Sequence, residues 1–389
     1  MTGRRPREVA ALDLIRFAAA QAVMVYHLVF LSWTEPVRSH GIRAVVTGVA
    51  GVPPAAFPQA VGWSSLGWVG VQVFFVISGF VILMSAENKS AAEFLIGRVS
   101  RIMPALWVFS LLSAAVLLVA GTLAPAAVGV RLLRSMVLFP VGPWVDGAVW
   151  TLVAEAVFYT GVYVMIRTGT IARITTVMAV ATLFNLLLWS TVVAGDIGLL
   201  GDAGHRLAGW ASSYRLRVTL VSTNCYFVVG AALFQLFRRR DISASAAILI
   251  ANVAAGLVAT HFAARSSIGV AEFGESALAA PAVWGAATLV MAVCVLLRAG
   301  RGAGFAKAAT VAGLLTYPLY LINQIVGGFL LGLASRAGLA PGVAVAGTAI
   351  ACTLIAALFA LGLERRLQRR LTAWLRRLGQ MRPPALQEA

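Results

Sequence analysis

Residues 12–27 read LDLIRFAAAQAVMVYH. The stretch is apolar enough for lipid, yet it carries Asp13, Arg16 and His27. What surrounds it decides how it is read. Of the 389 residues 60% are hydrophobic and 12% charged, against roughly 25% charged in soluble domains. Mean hydropathy is +0.89. Apolar runs long enough to span a bilayer recur from one end of the chain to the other, and such runs read as transmembrane helices. The sequence therefore predicts an all-α, polytopic integral membrane protein. Its ten helices are expected at 11–33, 66–85, 104–124, 147–166, 174–194, 216–237, 243–262, 278–297, 308–333 and 342–363.

The net charge of +17 could suit nucleic acid, but its distribution argues for topology. Twenty-one of the 31 Lys and Arg residues fall in one set of alternate segments, among them Arg4, Lys89, Arg167, Arg238 and Arg298, and nine in the other, among them Arg131, Arg215 and Arg336. The positive-inside rule then places both termini in the cytoplasm, with no nucleic-acid partner. MTGRRPR is basic, but the run after it is too long, and lacks the small-residue site, for a cleavable signal peptide. Residues 1–363 read as one membrane domain. Residues 364–389 read as a basic amphipathic cytoplasmic tail, with Leu367, Leu371, Trp374, Leu375 and Leu378 on one face toward membrane lipid. Cys225, Cys294 and Cys352 lie far apart in apolar runs, so neither a disulfide framework nor a metal site is expected.

The informative residues are the polar ones inside the spans. An Arg at mid-helix costs roughly 2.5–3.5 kcal/mol to insert. Arg16 lies near a helix end, where it can snorkel, and Asp13 is three residues away on the same face. His27 follows Arg16 by eleven residues, about three turns, so both share a face roughly 16 Å apart. The second helix, GWVGVQVFFVISGFVI, has Gln72 and Ser78 as its polar side chains, and Gly70 and Gly79 for close packing. Arg98 and Arg101 sit three apart on a short helix expected to end at Pro104. They read either as topology charge or as a clamp for phosphate. Thr151, Glu155 and Tyr159 recur every four residues and form one stripe, and an ionised Glu in lipid requires a partner, a proton or a wet cavity. In LLTYPLYLINQ, Pro318 should kink the helix while Thr316, Tyr320, Asn323 and Gln324 share a face. His40, His205 and His261 read as structural.

These motifs resemble the membrane acyltransferase family 3, whose members acylate cell-surface glycans and some small molecules. Arg16 and His27 match its Arg–ten residues–His spacing, and GVQVFFVISGFVI is similar to its second-helix motif, which contains Ser78. GRVSRIMPALW matches its R-x-x-R-I-x-P stretch at Arg98, Arg101 and Pro104. WTLVAEAVFY matches W-S-L-x-x-E-x-x-F-Y at Trp150, Glu155 and Tyr159. The chain departs from the pattern at Gln72, where Asp is common, and at Asn323, where a helix carrying Tyr317 and Tyr320 often ends in His.

The resemblance implies O-acyl transfer, acetyl first, from acetyl-CoA or another acyl-CoA, with no permanently bound cofactor. The acceptor would be a hydroxyl of a cell-surface polysaccharide or its lipid-linked precursor, and the location the cell inner membrane. On this reading His27 is the general base and Glu155 its catalytic companion. Arg16, with Asp13, and the pair Arg98 and Arg101 bind the donor. Ser78, Trp150, Tyr159, Tyr317, Tyr320 and Asn323 support them. Macrolide-type acceptors, or a transporter of an anionic or acylated metabolite, are the alternatives.

Overall fold

Residues 12–27 fold within helix α1 (Ala10–Val25) and a following π-helical turn, Tyr26–Leu31. The turn has local causes. Ser32 and Thr34 donate their hydroxyls back to the carbonyls of Leu28 and Phe30 at 2.8 and 2.9 Å, which loosens the regular ladder. One-turn π segments occur often at functional sites, and this one contains His27. The computed structural model describes residues 10–36, 39–211, 213–265, 270–299 and 303–380, and among these there is no β-strand.

The further helices are α2 (Ile42–Ala50), α3 (Gly70–Ala86), α4 (Ala91–Val119), α5 (Pro125–Met136) and α6 (Val149–Arg167). After them come α7 (Ile174–Asp196), α8 (Gly201–Ala211), α9 (Asn224–Phe237), α10 (Ile242–Ala264) and α11 (Val270–Leu296). The chain ends with α12 (Ala303–Ile322), α13 (Ile325–Arg336), α14 (Pro341–Leu358) and α15 (Arg365–Gln380). Among the described residues nine segments are long and apolar enough to cross a membrane, and α9 is a shorter apolar helix. Together they correspond to the ten segments read from the sequence. The protein is an all-α, multi-pass membrane protein.

Three expectations about these helices are corrected. Pro104 does not end a short helix: α4 runs through it for 29 residues. The start is set further back by a capping box, in which Ser90 and Glu93 each bond the other's backbone N–H. Near the proline, the Tyr317 hydroxyl donates to the carbonyl of Ile102 at 3.0 Å, which ties α12 to α4 at this level. The sixth span begins at Asn224 rather than 216, because Leu220 takes a left-handed φ of 66°. The ninth, read as one helix over 308–333, is interrupted at Asn323–Gln324, beyond Pro318, which stays inside α12.

Side-chain bonds hold that interruption open. Asn323 donates its amide to the carbonyls of Leu319 and Tyr320 at 3.0 and 3.2 Å. Asp146, from the loop before α6, accepts the N–H of Ile325, the first residue of α13, at 3.3 Å. Irregular backbone at membrane depth persists where protein groups satisfy it in this way.

Close packing follows small residues. A Cβ on Gly70 would lie 2.5 Å from the Ala19 carbonyl oxygen of α1, and one on Gly79 2.1 Å from that of Phe227 in α9. Helix α3 is therefore wedged between α1 and α9. The buried apolar residues form two clusters, one around α3, α9 and α10, the other around α2, α4, α13 and α14. Leu31, Phe74, Trp150 and Tyr317 touch both. The seam they mark runs beside α1 and carries the polar residues.

The two ends of the bundle can be told apart by their contacts. Glu87 pairs with Arg238 and Arg240 at 2.6 and 3.3 Å, so the turns after α3 and α9 meet at one end. Helix α1 begins at this end, and α15 lies there too, with Gln368 reaching the Arg101 carbonyl at 3.5 Å. We call it the terminal face, and the opposite end, with α2 and α5, the distal face.

Candidate active site

His27 is buried beneath a cavity of about 630 Å³ whose walls include the distal loop residues Ser39–Gly41 and Pro140–Val145. Trp68, Trp150, Tyr320 and Gln324 complete its inner part. Nδ1 of the imidazole meets Oδ1 of Asn323. The Asn323 amide nitrogen is already committed to two carbonyls, so its oxygen is the atom turned to the ring. An oxygen there accepts only, which assigns the proton to Nδ1 and leaves Nε2 with the free lone pair. Asn323, which stands where the family pattern often has His, meets the His27 ring.

Below Tyr320 lies a second, smaller chamber of about 50 Å³, lined by Arg16, Ser78, Thr151, Glu155, Tyr317 and Tyr320 among others. Tyr320 borders both spaces. Its hydroxyl lies 2.9 Å from that of Thr151, and the Phe74 ring packs edge-on against its own at 5.4 Å. Within the chamber the Ser78 hydroxyl donates to Oε1 of Glu155 at 2.5 Å. Arg16 and His27 do share a face of the first span: one borders the inner chamber and the other the distal cavity.

The stripe on α6 continues toward the terminal face. Thr151 meets Tyr320, Glu155 lines the chamber, and the Tyr159 ring centroid lies 5.9 Å from the Arg98 guanidinium. Arg98 also sits 5.9 Å from the Phe94 ring, and its buried Nε–H has no hydrogen-bond partner. Orphaned buried donors call for an explanation, and an anionic ligand atom supplies one. Arg101 lies one turn further on in α4. Asp13 does not line either space: its carboxylate lies against Gly313 of α12, where a Cβ would come within 2.5 Å of Oδ1. Trp150 borders the distal cavity.

Some residues in and beside the site escape the sequence reading. Asp146 is buried and bonds the N–H groups of Ala148 and Ile325. Its only signal was the position of a capping residue ahead of a helix. Arg131, Arg215, Arg217 and Glu35 border the distal cavity; in the sequence the three arginines count only toward the charge on one side of the membrane. Among the described residues no group of three His, Cys, Asp or Glu side chains could hold a metal ion.

The site thus joins a buried histidine with one nitrogen fixed, beneath the distal cavity, to an inner chamber that holds Arg16 and Glu155, with Tyr320 bordering both. The model of the acyltransferase domain of family 3 matches residues 9–363. The chain belongs to that family. The acyltransferase family 3 match covers all ten spans and stops just before α15. It includes every residue of the site, and membrane acyltransferase activity in general follows from it. The transporter alternative loses its ground. No curated protein and no solved structure matches the chain.

Proposed function

We propose that this acyltransferase moves an acyl group, acetyl first, from acyl-CoA to a hydroxyl of a cell-surface polysaccharide or its lipid-linked precursor. The observation that carries the reading is the His27–Asn323 pair at the floor of the distal cavity. Nε2 of His27 takes the proton from the acceptor hydroxyl as its oxygen attacks the thioester carbonyl. The C–S bond then breaks, and the imidazolium returns the proton to the departing thiolate. Asn323 holds the tautomer that this exchange requires.

The donor enters from the terminal face. The excess of Lys and Arg there makes it the cytoplasmic side, and coenzyme A is polyanionic and confined to it. Arg98 and Arg101 bind its phosphates, since guanidinium forks suit phosphate oxygens. The pantetheine arm runs along the Tyr159–Glu155 stripe past Arg16 to Tyr320, where the thioester meets His27. Glu155, held by Ser78, orients the arm and balances the arginines. The cell inner membrane is the location this arrangement serves. Helix α15, with Leu367 packed on the bundle and Trp374 and Leu378 exposed, rests on the inner leaflet.

The test is transfer from labelled acetyl-CoA to glycans by the purified protein in detergent, against a His27→Ala variant that inserts and folds normally. Wild-type turnover by that variant would remove His27 from the chemistry.

A further inference from the structure

The charges around the distal cavity are not those of a site for a neutral glycan. Arg131 on α5, and Arg215 and Arg217 just before α9, border it together with Glu35, His40 and His27. They come from two separate parts of the chain and converge on one space. Their neighbours show which charges are already engaged. Arg134, one turn from Arg131, donates to the Gly142 carbonyl at 3.2 Å and so braces the loop. Arg265 is paired with Asp196 at 2.9 Å. Among the described residues Arg131 and Arg215 form no ion pair.

Glu35 does not cancel them. Its Oε2 accepts the backbone N–H of Arg43 at 3.3 Å, which turns the carboxylate onto its own loop. Burial pushes this carboxyl above its ordinary range, while the N–H and hydroxyl donors of that loop pull it back. The cavity thus keeps a positive balance, and low-dielectric walls concentrate such a field. Trp68, Trp144 and Trp150 add broad apolar faces with a polar edge.

From this geometry we infer that the acceptor is anionic: a glycan or glycan precursor bearing a carboxylate or phosphate, held by Arg131 and Arg215 at the mouth while a hydroxyl reaches His27. The inference deepens the proposed function, on which it rests for the place of the acceptor. Coenzyme A phosphates share the chemistry, so the test must separate the two sources.

Binding is measured on the full chain in nanodiscs, by tryptophan fluorescence, with a uronic-acid tetrasaccharide and with a neutral glucose tetrasaccharide of equal length. Coenzyme A is titrated separately. The acidic oligomer is expected to bind at least tenfold more tightly, and the advantage should shrink as salt rises from about 20 to 200 mM, since exposed charges are screened over that range. The doubly neutralised variant, Arg131→Gln with Arg215→Gln, should lose the advantage and keep its affinity for coenzyme A. The lysine pair, Arg131→Lys with Arg215→Lys, should retain most of it, which tells charge loss from misfolding. Equal binding of the two oligomers overturns the proposal. So does a tenfold loss of coenzyme A affinity in the Gln pair with oligomer binding unchanged. None of these readouts requires turnover, so failure of the anionic preference and failure of acyl transfer are seen separately.

Discussion

Asn323 gives both protons of its amide to the chain of α12, at Leu319 and Tyr320, and turns its oxygen to the imidazole of His27. The group that props open the broken helix therefore also sets the tautomer of the histidine. Asn323→Leu is expected to lower kcat by about ten- to a hundredfold with little change in KM, and His27→Ala by about 10²- to 10⁴-fold, the usual share of a general base. Asn323→Asp keeps an acceptor toward Nδ1 and should recover more activity than the leucine variant. Steady-state kinetics of the three proteins would check this, and equal kcat in all of them would refute it.

Arg98 makes a separable prediction. Its Nε–H is buried without a partner, so a bound phosphate would satisfy it. Arg98→Ala should raise KM for acyl-CoA by about tenfold or more, the scale of a charge-assisted bond of roughly 1.5–3 kcal/mol. Arg98→Lys should restore only part, because an ammonium lacks the planar fork. An unchanged KM in both variants would place the phosphates elsewhere.

Tyr320 stands between the two spaces, braced by Thr151 and Phe74. Tyr320→Ala should join them and admit water to the thioester. The expected result is acyl-CoA hydrolysis without acceptor, rising several-fold over wild type, while transfer falls. Tyr320→Phe keeps the wall and should keep hydrolysis low. The check is thiol release measured with and without a glycan; low release from the alanine variant would count against a dividing role.

Asp146 links stability to pH. It lies outside the spans, and burial raises its carboxyl from 3.8 to about 7, against the opposing bonds from Ala148 and Ile325, with the charge of Glu35 adding to the rise. The folded state therefore holds a proton that the unfolded chain releases near pH 4. Its contribution is full below that pH and is lost as pH rises toward 7, by at most about 1.4 kcal/mol per unit. Thermal unfolding in detergent should show a wild-type midpoint that falls between pH 4 and 7 and then levels. In Asp146→Asn this component should vanish. A parallel pH dependence in the variant would assign the effect to another group.

What could be read from the chain alone followed from regular helices. Arg16 and His27 share a face because eleven residues make three turns, and Thr151, Glu155 and Tyr159 form a stripe because four residues make nearly one. Both relations hold in the fold. The partner of His27 was not readable, because Asn323 lies 296 residues away and contact between distant spans leaves no local pattern. Pro318 reads as a kink, and nothing local marks the break at Asn323–Gln324, where side chains replace the backbone's own bonds. Arg131 and Arg215 looked like any distal loop charge, since convergence on one cavity is a property of the assembled bundle. Pro104 misled because a proline is taken to end a helix, whereas α4 starts at the Ser90–Glu93 capping box and runs through it.

The distance in sequence between His27 and Asn323 has a consequence in time. The imidazole enters the bilayer with the first span, whereas its acceptor is synthesised 296 residues later, about 15–60 s at ordinary ribosome speeds. Until then Asn323 is not there to hold the ring, and under the proposed mechanism a truncated or half-inserted product has no oriented base. On the proposed mechanism, abortive translation would yield inert fragments that leave the thioester pool untouched.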